Sequence, residues 1–228
     1  MQPRPSAVLW MASAFASALA VTAVVLLAYG TGLRGTAASL AATGRLSFLL
    51  FWAAYTGGAL RTLFGGVFQP LKERGREFGL AFASAHLVHL GLVGWLCWIG
   101  YAPGANLFIF FGIPAVFVYL LALFSIDRFQ RALGPTSWWI LRTVGMHWIA
   151  YVFYFDFAKF PPHAGMRHII EYLPFAILAV AGPSLRLAAW GSRLRHRLRD
   201  KKISKLAGPK RADLPTGIGH PCPNGKGR

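Results

Sequence analysis

Charge is scarce in this chain, and negative charge is scarcer still. Its 228 residues carry 7 Asp+Glu against 24 Lys+Arg, and charged residues of both signs make up only 14%. A soluble globular domain holds roughly 25%, so the composition argues for a membrane protein. Cysteine is nearly absent, with only Cys97 and Cys222. There is no CxxC or CxxCH, which removes support for a zinc ribbon, a covalent c-type haem and a disulfide framework. The 38 residues that follow Trp190 contain no GxGxxG, so they offer no phosphate-binding turn of a dinucleotide site. Strand-like alternation and internal repeats are also missing.

What remains is apolar. Hydrophobic residues make up 55% of the chain and the mean hydropathy is +0.47. The net charge of +17 would suit nucleic acid, but the basic residues fall between and after apolar runs. That pattern fits membrane topology and anionic headgroups instead. The expected fold is all-α: a polytopic bundle of six transmembrane helices over residues 1–190, followed by a basic tail, 191–228. The expected spans are about 7–29, 46–68, 78–101, 106–126, 138–158 and 168–190. At ~1.5 Å per residue each is long enough for a ~30 Å hydrocarbon core. The first run is too long for the ~7–15-residue core of a signal peptide, and is read as a retained span.

The connections are expected as loops. Residues 30–44 are rich in Gly, Thr and Ala, 70–77 and 127–137 carry Lys and Arg, and 159–167 hold Pro-Pro-His. Counting Lys and Arg on the two sides places both termini in the cytoplasm of an inner (plasma) membrane protein. Beyond Trp190, Arg193, Arg195, Arg197 and Arg199 begin a tail suited to anionic lipid.

The chemistry centres on the third span. His86 and His89 are three residues apart and share a helix face. Imidazole inside hydrocarbon normally has a use. His147 lies at a similar depth in the fifth span, which runs the same way. Two imidazoles facing each other across an iron is what axial haem ligation requires. The competing reading is that these histidines hydrogen-bond between helices and hold the bundle together. Spacing leaves His86 and His89 equal as ligands. Arg142 and Arg61 are candidates to pair with haem propionates, or to snorkel to headgroups. Trp95, Trp98, Trp148, Phe82, Phe153 and Tyr151 are candidate macrocycle walls. Asp156 is expected beside Lys159, and Glu171 beside Arg167 or His168.

One stretch carries a resemblance. Arg76, Gly79, Leu80, His86 and His89, followed by Ser125, Asp127, Arg128, Leu133, Gly134, Pro135 and Trp138, resemble the ferric reductase-like transmembrane domain. This haem-binding six-helix module is shared by ferric reductases, NADPH oxidases and the membrane haem subunit of a periplasmic methionine sulfoxide reductase system. The resemblance spans about residues 44–151 and implies haem b, with His89 favoured over His86. The chain departs from the family where the fifth-helix histidine is expected, since Leu141-Arg142 stands there and the next histidine is His147. Gly100 and Phe160 stand where the two-haem branch has further histidines, so at most one bis-histidine site is implied.

The expected function is transmembrane electron transfer through one b-type haem, held by His89 or His86 and by His147. Residues 191–228 cannot hold a flavin or nicotinamide domain. Electrons would therefore come from a separate flavoprotein or from quinol, which makes quinone a second candidate cofactor. An acceptor protein or small molecule would take them. The alternative is a haem-free assembly partner or small transporter with structural or proton-handling histidines.

Overall fold

A computed structural model describes residues 5–158 and 166–206, without the side chains of 5–6, 127, 166–169 and 201–206. Eight α-helices run in order: α1 (Pro5–Tyr29), α2 (Leu33–Phe64), α3 (Gln69–Glu73), α4 (Gly75–Trp98), α5 (Ala105–Phe124), α6 (Asp127–Leu133), α7 (Pro135–Ala158) and α8 (Met166–Leu206). A 3-10 turn, Gly66–Phe68, links α2 to α3. No strand occurs among the described residues. The chain is an all-α membrane bundle. It comprises two compact units, Met1–Trp190 and Gly191–Arg228. In the second unit the chain stays helical to Leu206, and Arg193, Arg195, Arg197 and Arg199 are exposed.

Five helices (α1, α2, α4, α5 and α8) are long and apolar enough to cross a membrane. The remaining expected span, the fifth, is α7, which has 24 residues, but Arg142, Thr143, His147 and Asp156 dilute its apolar character. The expected loop at 30–44 is largely helix, because α2 begins at Leu33 and runs for 32 residues. Its Ala and Thr residues follow helical periodicity, and Gly35 lets the first turn fold against the Gly30 carbonyl. A Cβ on Gly35 would lie only 1.7 Å from that oxygen. The second span stops at Phe64 rather than at 68, where Gly65 takes φ +83°, a conformation natural to a helix-ending glycine. The charged connection 70–77 folds into α3 and the start of α4, and 127–137 into α6 and the start of α7.

Small side chains set how closely the first helices approach. Ala14 and Ala18 on α1 meet Ala81, Ala85 and Val88 on α4. Each alanine pair is spaced by four, which leaves a groove for a neighbouring backbone. The Ser84 hydroxyl donates to the Met11 carbonyl at 2.9 Å across that contact. On α2, Thr36, Ser39, Thr43 and Ser47 form a stripe with 0% exposure, so hydroxyls rather than alkyl groups face α4. Helix α5 packs on α7, where a Cβ on Gly145 would press on Leu121 and Phe117 at 3.1 Å.

Between these two layers lies an aromatic seam. Phe48, Phe51, Phe82 and Phe157 are buried in one cluster, with Phe153 and Phe175 packed against it. Helix α8 meets α2 through long side chains. The Trp52 indole donates to the Leu178 carbonyl at 2.9 Å, and Arg186 lies 4.4 Å from the centre of the Tyr55 ring.

Candidate functional site

The seam is not filled from end to end. Toward the α4–α5 turn, α2, α4, α5, α7 and α8 enclose a cavity of about 470 Å³, within the size range of small-molecule and cofactor sites. Its lining is mostly apolar, including Leu40, Phe82, Phe111, Val118, Ile149 and Phe153. His86, His89, Ser47, Asp156 and Tyr172 supply the main polar groups.

His86 and His89 project together, as their spacing requires. Their rings are parallel within 12°, with centroids 5.2 Å apart. Phe82 lies 5.6 Å from His86 on one side, and Tyr119 lies 6.4 Å away. The Nδ1 of His86 and the hydroxyl of Ser47 are buried without a hydrogen-bond partner among the described residues.

His89 is held differently. Its Nδ1 lies 3.1 Å from the Thr43 hydroxyl oxygen, while the same hydroxyl lies 2.8 Å from the Ser39 carbonyl. A hydroxyl has one proton, and a carbonyl can only accept. With the Thr43 proton on the Ser39 carbonyl, His89 Nδ1–H donates to Thr43. That tautomer leaves Nε2 as the ring nitrogen with a lone pair, the form a metal-binding histidine adopts. Gly44 makes room for the ring, since a Cβ there would touch His89 Cε1 at 3.6 Å.

The α4–α7 histidine pair is not assembled. His147 is exposed and does not line the cavity. It bonds its own helix, with Nδ1 2.7 Å from the Thr143 carbonyl, and stands edge-on to the Tyr55 ring at 5.8 Å. The reason is angular. His147 comes two residues before the cavity-lining Ile149, roughly 200° around the helix. Matching depth is satisfied, but matching face is not. Since His86 and His89 leave α4 on one side, the cavity offers one axial imidazole to a planar macrocycle.

The arginines lie elsewhere. Arg142 lines a second, smaller cavity toward the α2–α4 connection. Arg61 donates to the Gln69 side chain, which in turn donates to Glu73 at 2.6 Å. Neither arginine lines the histidine cavity. Of the expected aromatic walls, Phe82 and Phe153 line it, while Trp95, Trp98, Trp148 and Tyr151 do not. Trp95 donates instead to the Thr31 carbonyl at 3.2 Å. Glu171 pairs with Arg45 at 3.5 Å, and Arg45 also lies 5.0 Å over the Tyr172 ring. Lys159 and His163, and the side chains of Arg167 and His168, lie outside the described residues.

A scan against protein-family models and searches of curated proteins and solved structures returned no match. Geometry is therefore what weighs the readings. Among the described residues, no three His, Cys, Asp or Glu side chains gather as a metal cage. Sequence reading found His86 and His89 but missed Thr43. The signal was a hydroxyl recurring every four residues (Ser39, Thr43, Ser47), running from a segment read as loop into the second expected span.

Proposed function

We propose that the cavity beside His86 and His89 holds one b-type haem in a ferric reductase-like membrane electron-transfer protein. His89 would hold its iron. The observation carrying this reading is the Thr43–His89 hydrogen bond at 3.1 Å, which supports the tautomer that leaves Nε2 available. The apolar lining from four other helices and the run from Arg76 to His89 support it. Bound there, haem supplies a one-electron couple whose potential depends on ligation, burial and nearby charge.

The chain's own residues have separate tasks. Thr43 orients the imidazole and raises its basicity. Phe82, Val118 and Ile149 give the cavity apolar walls, and His147 is not among its lining residues. Asp156 and Tyr172 give the cavity polar groups toward the α4–α5 turn. Electrons come from a separate flavoprotein or from quinol and leave to an external acceptor. The protein sits in the inner (plasma) membrane with both termini cytoplasmic.

The test is optical. Purified full-length protein should give a Soret band that shifts on dithionite reduction, with pyridine haemochrome reporting about one haem b per chain. His89→Ala should lose it, and His147→Ala should keep it. A second reading is favoured by the displaced His147. In it, the His89–Thr43 bond only ties α4 to α2, and the protein is a haem-free assembly partner or small transporter. Preparations colourless under all conditions would establish that reading over the first.

A further inference from the structure

The histidine cavity carries a second polar pair, separate from the His89–Thr43 bond. The Ser47 and His86 side chains both border it. The Ser47 hydroxyl and the His86 Nδ1 are buried without a hydrogen-bond partner among the described residues. Such atoms are expensive to leave unsatisfied in an apolar interior.

Packing sets the two side chains at one level. Phe51 on α2 meets Phe82 on α4 with ring centroids 5.4 Å apart, and Thr43 meets His89 at 3.1 Å. The α2 number falls between these contacts while the α4 number rises, so the two helices are antiparallel. Ser47 lies four residues before Phe51 and four after Thr43. His86 lies four after Phe82 and three before His89. Residues three or four apart share a helix face. Ser47 and His86 therefore stand across from each other between two observed contacts, yet they form no hydrogen bond with each other.

The Ser47 hydroxyl does not take its local option either. Thr56, Thr62, Ser125 and Ser184 each donate to the carbonyl four residues back, a common resting place for a helical hydroxyl. Ser47 does not, and at 0% exposure it has no access to bulk water. Ser39 is also unpaired but does not border the cavity.

The pair defines the chemistry of a shared partner. A hydroxyl donates and accepts, and the Nδ1 of a neutral imidazole does one or the other. A neutral oxygen meets either case: water or an alcohol donates and accepts, and a carbonyl accepts from both. An ion does not, because neither group carries a compensating charge and the lining is mostly apolar. The cavity, about 470 Å³ in volume, has room for a water and also for an apolar body bearing such an oxygen. We infer that Ser47 and His86 form a site for one neutral oxygen atom, supplied by an ordered water or by the carbonyl or hydroxyl of an apolar ligand in the cavity. The inference rests on the cavity and not on haem.

Unfolding midpoints of purified full-length protein in detergent test whether the pair shares a partner. Ser47→Ala should lower the midpoint by about 2–4 °C, as expected for losing one buried hydrogen bond. The same substitution should have no such effect once His86→Leu is present, because the two act through one atom. If His86→Leu does not fold, His86→Asn keeps a polar atom at the Nδ1 position and should preserve the effect of Ser47→Ala. Equal shifts in the wild-type and His86→Leu backgrounds, or a midpoint that Ser47→Ala raises or leaves unchanged, overturn the site. Two further arms identify the source. An internal-water O–H stretch that shifts in heavy-oxygen water and disappears in Ser47→Ala assigns the oxygen to water. Acetophenone and the similarly shaped ethylbenzene test a ligand carbonyl. A half-saturating concentration about tenfold lower for acetophenone, with the difference lost in Ser47→Ala, assigns the oxygen to a ligand. Coupled midpoints with neither signal indicate a direct Ser47–His86 bond and also overturn the site. Haem content, measured on the same samples, reports separately on the proposed haem.

Discussion

At Thr43, one proton decides what His89 can do. The hydroxyl lies 2.8 Å from the Ser39 carbonyl and 3.1 Å from His89 Nδ1, so with its proton on Ser39 it accepts from the ring. Replacing it with valine keeps the branched shape and removes the acceptor. Thr43→Val should weaken haem binding by about 10–100-fold, the usual cost of losing a ligand's outer hydrogen bond. Thr43→Ser should retain most of the affinity. Titrating haem into apoprotein and fitting the Soret change measures both. His147 gives the opposite expectation. It touches Tyr55 at the edge of the seam and its own Thr143 carbonyl, so His147→Ala should leave haem occupancy unchanged. If occupancy fell with His147→Ala and not with His89→Ala, the ligand assignment would be wrong.

Among the elements, packing follows side-chain size more than hydrophobicity. Ala18 is 0% exposed where α1 crosses α4, while its neighbour Leu19 is 47% exposed. Ala18→Leu should therefore destabilise by about 1–3 kcal/mol through overpacking, and Leu19→Ala should stay within about 0.5 kcal/mol. Gly57 makes the same point where α2 meets α3. A Cβ there would lie 2.9 Å from the Leu71 carbonyl oxygen, and backbone cannot swing aside, so Gly57→Ala should cost a similar amount. Denaturation in SDS, followed by circular dichroism, reads all three. The helices were legible in the sequence because apolar runs of this length have few other uses. Residues 30–44 were not legible, because Gly and Thr are weak helix formers in water. Here tertiary contact overrides that preference, with Thr36, Ser39 and Thr43 buried against neighbours. The candidate site was half legible for a related reason. Spacing within α4 fixes that His86 and His89 share a face, but nothing in the sequence fixes the rotation of α7 relative to α4. Depth could be matched by counting residues. The roughly 200° offset of His147 from Ile149 needed the α5–α7 packing to be seen.

Across the whole molecule, the open matter is parity. Five helices meet the length and composition expected of a span, and an odd number would put the termini on opposite sides. Helix α7 fails on composition alone. It lies along α5, with Phe110 against Phe155 at 4.9 Å toward one end and Gly145 against Phe117 and Leu121 further along. A helix matched to a span over that length occupies the same depth of the bilayer. Its least apolar members, Arg142 and Asp156, each border a cavity while staying exposed. Were α7 to cross as well, six crossings would return the chain to its starting side, as the concentration of Arg and Lys beyond Trp190 would require. Cys97→Ser leaves Cys222 as the single thiol in the sequence. In that background, a membrane-impermeant maleimide should label inverted vesicles and spare intact spheroplasts. A cysteine placed at Met1 should behave in the same way. Labelling of the two ends from opposite sides would leave α7 as a helix that lies within the bundle without crossing the membrane.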